Sequence, residues 1–178
     1  MSTKKKWILD PTHSEVGFKV RHMMISNVAG VFHEASATVL ASEADFSDAE
    51  IEFDANIASI DTGNAQRDEH LASAEFFDAA IHPTIRFVST SFVKNEGGDY
   101  SLQGLLNIRG NERPIALHVE YAGTVVDPYG QTKAGFDIQG KISRTEYGLT
   151  WNAVTEAGGV VVSDEVKLSL SIQVVLQA

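Results

Sequence analysis

Residues 166–176, with the sequence Val-Lys-Leu-Ser-Leu-Ser-Ile-Gln-Val-Val-Leu, decide the fold because apolar and polar side chains alternate along them. One face of this segment would carry only aliphatic side chains, those of Val166, Leu168, Leu170, Ile172, Val174 and Leu176. The opposite face would carry the polar side chains of Lys167, Ser169, Ser171 and Gln173. A period of two residues predicts a β-strand with one dry face and one wet face.

The same alternation recurs along most of the chain, over residues 14–22, 28–40, 49–57, 84–94, 99–108, 114–126 and 132–143. With the last segment this makes about eight strands, and the short, turn-rich connections between neighbours favour antiparallel pairing. Because the dry faces must meet, the strands form a sandwich or a closed barrel, and a barrel of about eight strands can hold one small ligand. We therefore predict an all-β container, in a single domain spanning residues 1–178.

Two inserts interrupt the alternation and predict a cover for one end of the barrel. The longer insert has good helix formers at 65–72 and the signs of a further short helical turn at 73–77, so we predict a helical lid around 64–78. The shorter insert, 144–151, would make a second cap. The glycine pair at 158–159 predicts a hairpin turn before the last strand.

Composition excludes several classes of function. The formal net charge is −10, which argues against binding of nucleic acid or of an anionic membrane through bulk electrostatics. The chain has no cysteine, so disulfides, thiolate metal sites and cysteine nucleophiles are excluded.

The start of the chain predicts a cytoplasmic location. Only Trp7, Ile8 and Leu9 follow the basic residues before Asp10, whereas a secretory signal needs roughly 7–15 apolar residues. A periplasmic location would follow if a leader had been removed. No segment approaches the roughly 18 apolar residues of a membrane span, so no integral membrane segment is expected.

Catalytic and metal-binding motifs are not evident in the sequence. No two of the six histidines are spaced i+2 or i+4, so no strand or helix presents a ready pair of metal ligands. Nucleophile elbows and glycine-rich phosphate loops are also absent. We therefore predict a protein without metal or cofactor that is not an enzyme. The alternative is a hydrolase or isomerase acting on a lipophilic substrate, with His22 or His70 as general acid or base.

Short motifs in a characteristic order span nearly the whole chain. They include Asp-Pro-Thr-His-Ser at 10–14, Arg-Asp-Glu-His-Leu at 67–71, His-Pro-Thr-Ile-Arg-Phe at 82–87, Gly-Leu-Leu-Asn-Ile-Arg-Gly at 104–110 and Arg-Thr-Glu-Tyr-Gly-Leu at 144–149. In order and spacing the chain resembles the YceI-like family, polyisoprenoid-binding proteins with an extended lipocalin-like barrel. The resemblance implies an antiparallel, eight-stranded, lipocalin-like barrel that holds a polyisoprenoid or fatty-acid-like chain in its interior. Relatives also suggest a homodimer.

Alternation and the resemblance together nominate site residues. A lipid tunnel would be lined by Phe18, Val20, His22, Phe53, Phe87, Leu106, Leu117, Phe136, Leu168 and Leu170. Alternation alone fits a filled core equally well, and the resemblance favours the hollow barrel. The head group or the mouth of the tunnel would involve His13, Arg67, Asp68, His70, Phe76, Phe77, Arg144 and Trp151. For Arg67, Asp68 and Arg144 the alternative is a structural role, fixing the loops through salt bridges and caps.

These residues lead to three hypotheses about function. The first is non-enzymatic binding, storage or transport of a long amphiphilic lipid, with no nucleic acid as partner. The second is the histidine-dependent enzyme. The third is a filled barrel that acts through a protein partner or as a homodimer and has no ligand.

Overall fold

Eleven antiparallel strand segments form one sheet within residues 3–42, 44–152 and 161–178, the parts of the chain that the computed structural model describes. In chain order they are β1 (Lys5–Leu9), β2 (Glu15–His22), β3 (Ser26–Phe32), β4 (Ala35–Ala41), β5 (Glu50–Asn56), β6 (Ile60–Asp61), β7 (Thr84–Lys94), β8 (Tyr100–Ile108), β9 (Asn111–Val126), β10 (Thr132–Ser143) and β11 (Val162–Leu176). The hairpin turn predicted at 158–159 lies outside the described residues.

The eleven segments amount to eight strands, because three strands are bent. β1 and β2 both pair with β11 and are joined by a 3₁₀ turn, Pro11–His13. β3 and β4 run on from one another across two residues, and β5 and β6 flank a second 3₁₀ turn, Ile57–Ser59. Each strand then pairs with the next along the chain, and the last pairs with the first. The predicted all-β, antiparallel, eight-stranded barrel is confirmed.

An aromatic plug closes one end of the barrel, called the sealed end below. Phe46, in the connection between β4 and β5, is only 1% exposed. Its ring centroid lies 5.0 Å from that of Trp7, 5.1 Å from that of Phe136 and 5.8 Å from that of Tyr121. Its φ of 62° lies in the left-handed region, which turns this side chain back into the barrel.

The two inserts lie at the opposite end, called the lid end. The longer insert forms helix α1 (Ala65–Ala72), within the predicted lid. Its N-cap is Asn64, whose Oδ1 accepts a hydrogen bond from the Arg67 N–H at 3.0 Å. Residues 74–77 form hydrogen-bonded turns rather than a second helix. The shorter insert begins with a 3₁₀ helix, Arg144–Tyr147, which ends at Gly148 with a left-handed φ of 80°.

A cluster of charged groups holds the bend between β1 and β2. The Asp10 carboxylate lies 2.8 Å from Thr12 Oγ1, 2.9 Å from His13 Nδ1 and 2.9 Å from Lys133 Nζ. Lys133 Nζ is also 3.4 Å from Asp127 Oδ2, so it ties the β9–β10 connection to the bend. Burial raises the pKa of Asp10, but hydrogen bonds from His13, Lys133 and Thr12 outweigh it and hold that pKa well below its usual range.

Asp10→Asn is expected to destabilise the protein at neutral pH and to have a smaller effect in acid. Because the folded-state pKa of Asp10 lies below its ordinary value of 3.8, the carboxylate stabilises the fold above about pH 4 and loses that effect as the pH falls. The difference in free energy of unfolding from wild type should be steady over about pH 5–7 and shrink below about pH 4. Urea denaturation across this range measures it, with Asp137→Asn on the exposed face of β10 as control. A difference independent of pH would contradict the prediction.

Candidate functional site

An apolar tunnel runs through the interior of the barrel. The cavity inside it has a volume of about 160 Å³. Twenty-eight residues line it, and every one is apolar or glycine. The structure places eight of the sequence-predicted tunnel residues on this wall: Phe18, Phe53, Phe87, Leu106, Leu117, Phe136, Leu168 and Leu170. The interior is therefore hollow and offers no polar group to a ligand.

Val20 and His22 are not among the lining residues. They continue the face of β2 that carries Val16 and Phe18, but lie closer to the β2–β3 turn at the lid end. The His22 side chain is half-buried, and among the described residues its imidazole makes no hydrogen bond or ion pair. The structure therefore moves His22 from the predicted tunnel to the region above it.

Three inward-facing glycines keep the tunnel open. A Cβ atom on Gly30 would lie 2.5 Å from the Phe18 ring, one on Gly104 would lie 2.4 Å from the Phe87 ring, and one on Gly140 would lie 2.3 Å from Leu117 Cδ2. Because these glycines have no Cβ, the neighbouring large side chains lie flat against the barrel wall. Alternation shows that such glycines face inward, but the packing of a ring over each one is a tertiary feature.

Exposure along the wall shows that the tunnel opens at the lid end. Val119 and Val174, in the half of the barrel near the sealed end, are almost completely buried. Ile115, Ile142 and Leu168, which also line the tunnel but lie nearer the lid end, are only partly buried. The mouth is therefore bordered by β2, β9, β10 and β11.

Arg67 and Asp68 hold the loop that precedes α1. Arg67 donates from Nε to Thr62 Oγ1 at 2.7 Å and from Nη2 to the Thr62 carbonyl at 2.6 Å. The Asp68 carboxylate accepts from the Thr62 N–H at 3.0 Å and from the Thr62 hydroxyl. The structure thus places both side chains in the loop-fixing role that was the alternative to head-group binding.

Arg144 is also structural, because its guanidinium is buried and donates to four backbone carbonyls. The side chain is 4% exposed and bonds the carbonyls of Ser163 at 2.8 Å, Trp151 at 3.0 Å and Val162 at 3.1 Å, together with that of Leu149. Burial lowers its pKa from the ordinary value. It joins the shorter insert to the start of β11 and is not presented to the mouth.

An aromatic cluster joins the two inserts. The His70 ring centroid lies 5.1 Å from that of Phe76 and 4.9 Å from that of Trp151, and Phe76 and Trp151 are 5.4 Å apart. His70 Nε2 also contacts the Glu75 carboxylate. These residues form the lid itself, so they stand where a head group would leave the tunnel.

Of the other predicted mouth residues, one lies in contact with the tunnel wall and one does not. Phe77 packs edge-on against Phe32, a lining residue, with ring centroids 6.2 Å apart. His13 belongs to the Asp10–Lys133 cluster, nearer the sealed end, and is away from the lid.

The sequence analysis did not predict Phe46 as a site residue. Its only signal in the sequence is a lone phenylalanine within an acidic, turn-rich segment.

Neither a metal cluster nor a membrane-spanning helix is found in the described part of the chain. No group of three histidine, aspartate or glutamate side chains converges there to hold a metal ion. The helix it contains is too short and too polar to cross a bilayer.

Residues 7–174, nearly the whole barrel, match the family model described as the YceI-like domain. The chain belongs to the YceI-like family. Protein YceI of Salmonella newport (strain SL254) is 35% identical over 165 residues, covering 93% of this chain and 83% of that protein. The resemblance in the sequence motifs is thereby confirmed.

Two solved structures share the barrel fold of this YceI-like chain. Burkholderia cenocepacia BcnA superposes with a TM-score of 0.80 at 23% identity, over 93% of this chain and 98% of BcnA. A polyisoprenoid binding domain from Saccharophagus degradans, implicated in plant cell wall breakdown, superposes with a TM-score of 0.65 at 15% identity. That match covers 96% of this chain and 98% of the other.

Proposed function

We propose that this barrel binds the apolar chain of one long lipid, of the polyisoprenoid or fatty-acyl type, and stores or carries it without chemical change. The observation that carries the proposal is the tunnel, which is lined only by apolar residues, plugged at one end by Phe46 and open beneath the lid. The polyisoprenoid binding domain of Saccharophagus degradans, which has the same fold, supports a ligand of this class.

The free energy of burying the lipid makes its affinity depend more on the length of its apolar chain than on the detailed shape of that chain. Burial contributes about 0.8 kcal/mol for each CH₂ group, so a chain of roughly 40 carbons would sum to about 30 kcal/mol. Non-covalent affinities stop near 18–21 kcal/mol, because ordering of the chain and incomplete burial oppose binding. A tunnel closed at one end therefore sets how much of the chain is buried, and the remainder leaves through the mouth.

Binding without catalysis agrees with the position of the ionisable groups. A general acid or base must come within about 2.6–3.2 Å of the atom it protonates or deprotonates. None of the tunnel-lining residues is ionisable, and His22 and His70 both lie outside the lining. An enzyme using either histidine would have to act on the head group at the mouth.

We infer that His22 is the residue that meets the polar head of the ligand. Arg67 and Arg144 already donate to protein oxygens, and His70 is in contact with Glu75. His22 lies above the tunnel on its inward face, and its two ring nitrogens can donate to or accept from a hydroxyl or phosphate group.

Extraction of the natively purified protein tests the proposed function. We expect mass spectrometry of an organic extract to find one long-chain lipid for each protein molecule, and the delipidated protein to bind that lipid again. His22→Ala should retain the apolar chain but bind it more weakly. An extract without lipid, even after incubation with polyisoprenoids and fatty acids, would refute the proposal.

A further inference from the structure

The turn between β2 and β3 presents three exposed apolar side chains at the lid end. Met23 is 42% exposed, Met24 55% and Ile25 76%. β2 and β3 pair with each other as far as His22 and Ser26, so the hairpin carries these side chains to its tip. The apolar tip therefore stands beside the tunnel mouth.

Turn chemistry does not account for the two methionines. Met23 and Met24 have φ values of 49° and 64°, as both central residues of a type I′ turn do. Such turns prefer Asn-Gly, because larger side chains are strained at positive φ. Since the methionines are exposed, core packing does not explain them either. Strained residues of this kind often mark a binding surface.

The outer face of the adjoining wall carries a row of positive charge. Lys167 on β11 lies directly opposite both Lys19 on β2 and Lys141 on β10. Arg21 follows on the same face of β2, two residues before the turn. Within the described ranges, Lys19, Arg21 and Lys167 make no ion pair, and Lys141 reaches Glu165 only at 3.9 Å. Like charges directly opposite in a sheet repel, so the row points to an anionic partner.

Two basic side chains elsewhere on the barrel are paired more closely. Arg86 lies 3.0 Å from the Asp54 carboxylate and Lys133 lies 2.9 Å from that of Asp10. Near the row, Asp164 is already bonded to the hydroxyl groups of Ser143 and Thr145. In a chain with a net charge of −10, a row of four cations with one ion pair among the described residues, Lys141–Glu165, is a local feature that the overall charge conceals.

We propose that the β2–β3 tip and this basic row dock the lid end onto an anionic lipid bilayer. The three apolar side chains enter the boundary between head groups and acyl chains, and the basic side chains bind the lipid phosphates. From the rise per residue of a β-strand, Arg21 lies about 7 Å behind Met23 and Lys19 lies about 13 Å behind it. The barrel axis is therefore tilted, with the side formed by β2, β11 and β10 turned towards the bilayer. Docking opens the tunnel towards the membrane. Because the basic row is attracted to the lipid phosphates by charge, added salt screens this attraction and weakens docking.

Vesicle flotation tests the docking surface. The probe is vesicles of phosphatidylcholine with phosphatidylglycerol and no polyisoprenoid. Met23→Asn with Met24→Gly installs the pair that a type I′ turn prefers, so the variant should fold at least as well as wild type but bind these vesicles at least about tenfold more weakly. Lys19→Gln with Lys167→Gln should reduce binding by about fivefold for each lysine and flatten its dependence on salt.

The sealed end provides a matched control. It also has exposed apolar residues at the end of a hairpin, Val125 and Val126 of β9, and two lysines, Lys5 and Lys6, that make no ion pair with the described residues. Val125→Ser with Val126→Ser should leave vesicle binding unchanged. Failure of the wild type to bind, or an equal or larger loss in this control, would overturn the proposal. The substituted residues Met23, Met24, Lys19 and Lys167 do not line the tunnel, so loss of vesicle binding in these variants is distinguishable from failure of the extraction experiment.

Discussion

Leu117→Trp is expected to weaken lipid binding about a hundredfold while the barrel still folds. Leu117 lies flat over Gly140 on the tunnel wall, so an indole at this position must extend into the open space. Excluding about four CH₂ groups of the ligand removes roughly 3 kcal/mol of binding free energy, which is about a hundredfold in Kd. Leu106→Trp together with Leu117→Trp should abolish binding.

Titration with a fluorescent long-chain lipid measures this effect. Ala116→Trp is the matched control, because Ala116 is the preceding residue on β9 and faces solvent. Thermal unfolding of each variant shows whether the barrel has formed. Unchanged affinity in the folded double variant would show that the lipid does not enter the tunnel.

Arg144→Met is expected to destabilise the protein by roughly 3–5 kcal/mol, because it leaves four carbonyls without their charged donor. A hydrogen bond from a charged group contributes about 1.5–3 kcal/mol, and water will reach some of the freed carbonyls. For a chain of this length the loss corresponds to a fall in Tm of roughly 10 °C. Arg144→Lys, with one donor group in place of a planar fork, should give an intermediate loss.

Urea denaturation of Arg144→Met measures the loss, and Arg113→Met provides the control. Arg113 lies at the same end and donates one hydrogen bond, at 3.3 Å, to the Glu146 carbonyl, but its side chain is exposed. Its removal should cost less than about 1 kcal/mol. Equal losses in the two variants would show that the buried hydrogen bonds of Arg144 contribute no more to the free energy of unfolding than the single exposed bond of Arg113.

The alternation of apolar and polar residues predicted the strands of the barrel well, with one error. The sequence predicts one alternating strand over residues 28–40, whereas the structure bends this segment at 33–34 into β3 and β4. The alternation changes phase at this bend. Phe32 of β3 and Ala37 and Val39 of β4 all line the tunnel, so the inward positions are even-numbered before the bend and odd-numbered after it. The bend depends on pairing with β2 and β5, which lie elsewhere in the sequence.

Roles of the charged lid residues were harder to predict than their location. Arg67 and Arg144 were both correctly assigned to the two inserts, but what each binds depends on carbonyl groups that the fold brings to it. Those of Val162 and Ser163, for example, are 18 and 19 residues from Arg144 in the chain. The sequence shows that Arg67 and Arg144 are positively charged, and only the structure shows that their donor groups already bind protein oxygens.

By itself the sequence determined an all-β barrel with a helical cover and an apolar interior, because the side to which a residue points follows from the local pleat of its own strand. Only the tertiary structure decided that the interior is hollow, that Phe46 closes one end, and that the mouth lies under the lid. A filled and an open barrel share the same alternation. The space between facing walls depends on how side chains such as Phe18 and Phe87 pack over glycines of neighbouring strands, which is a contact between distant parts of the chain.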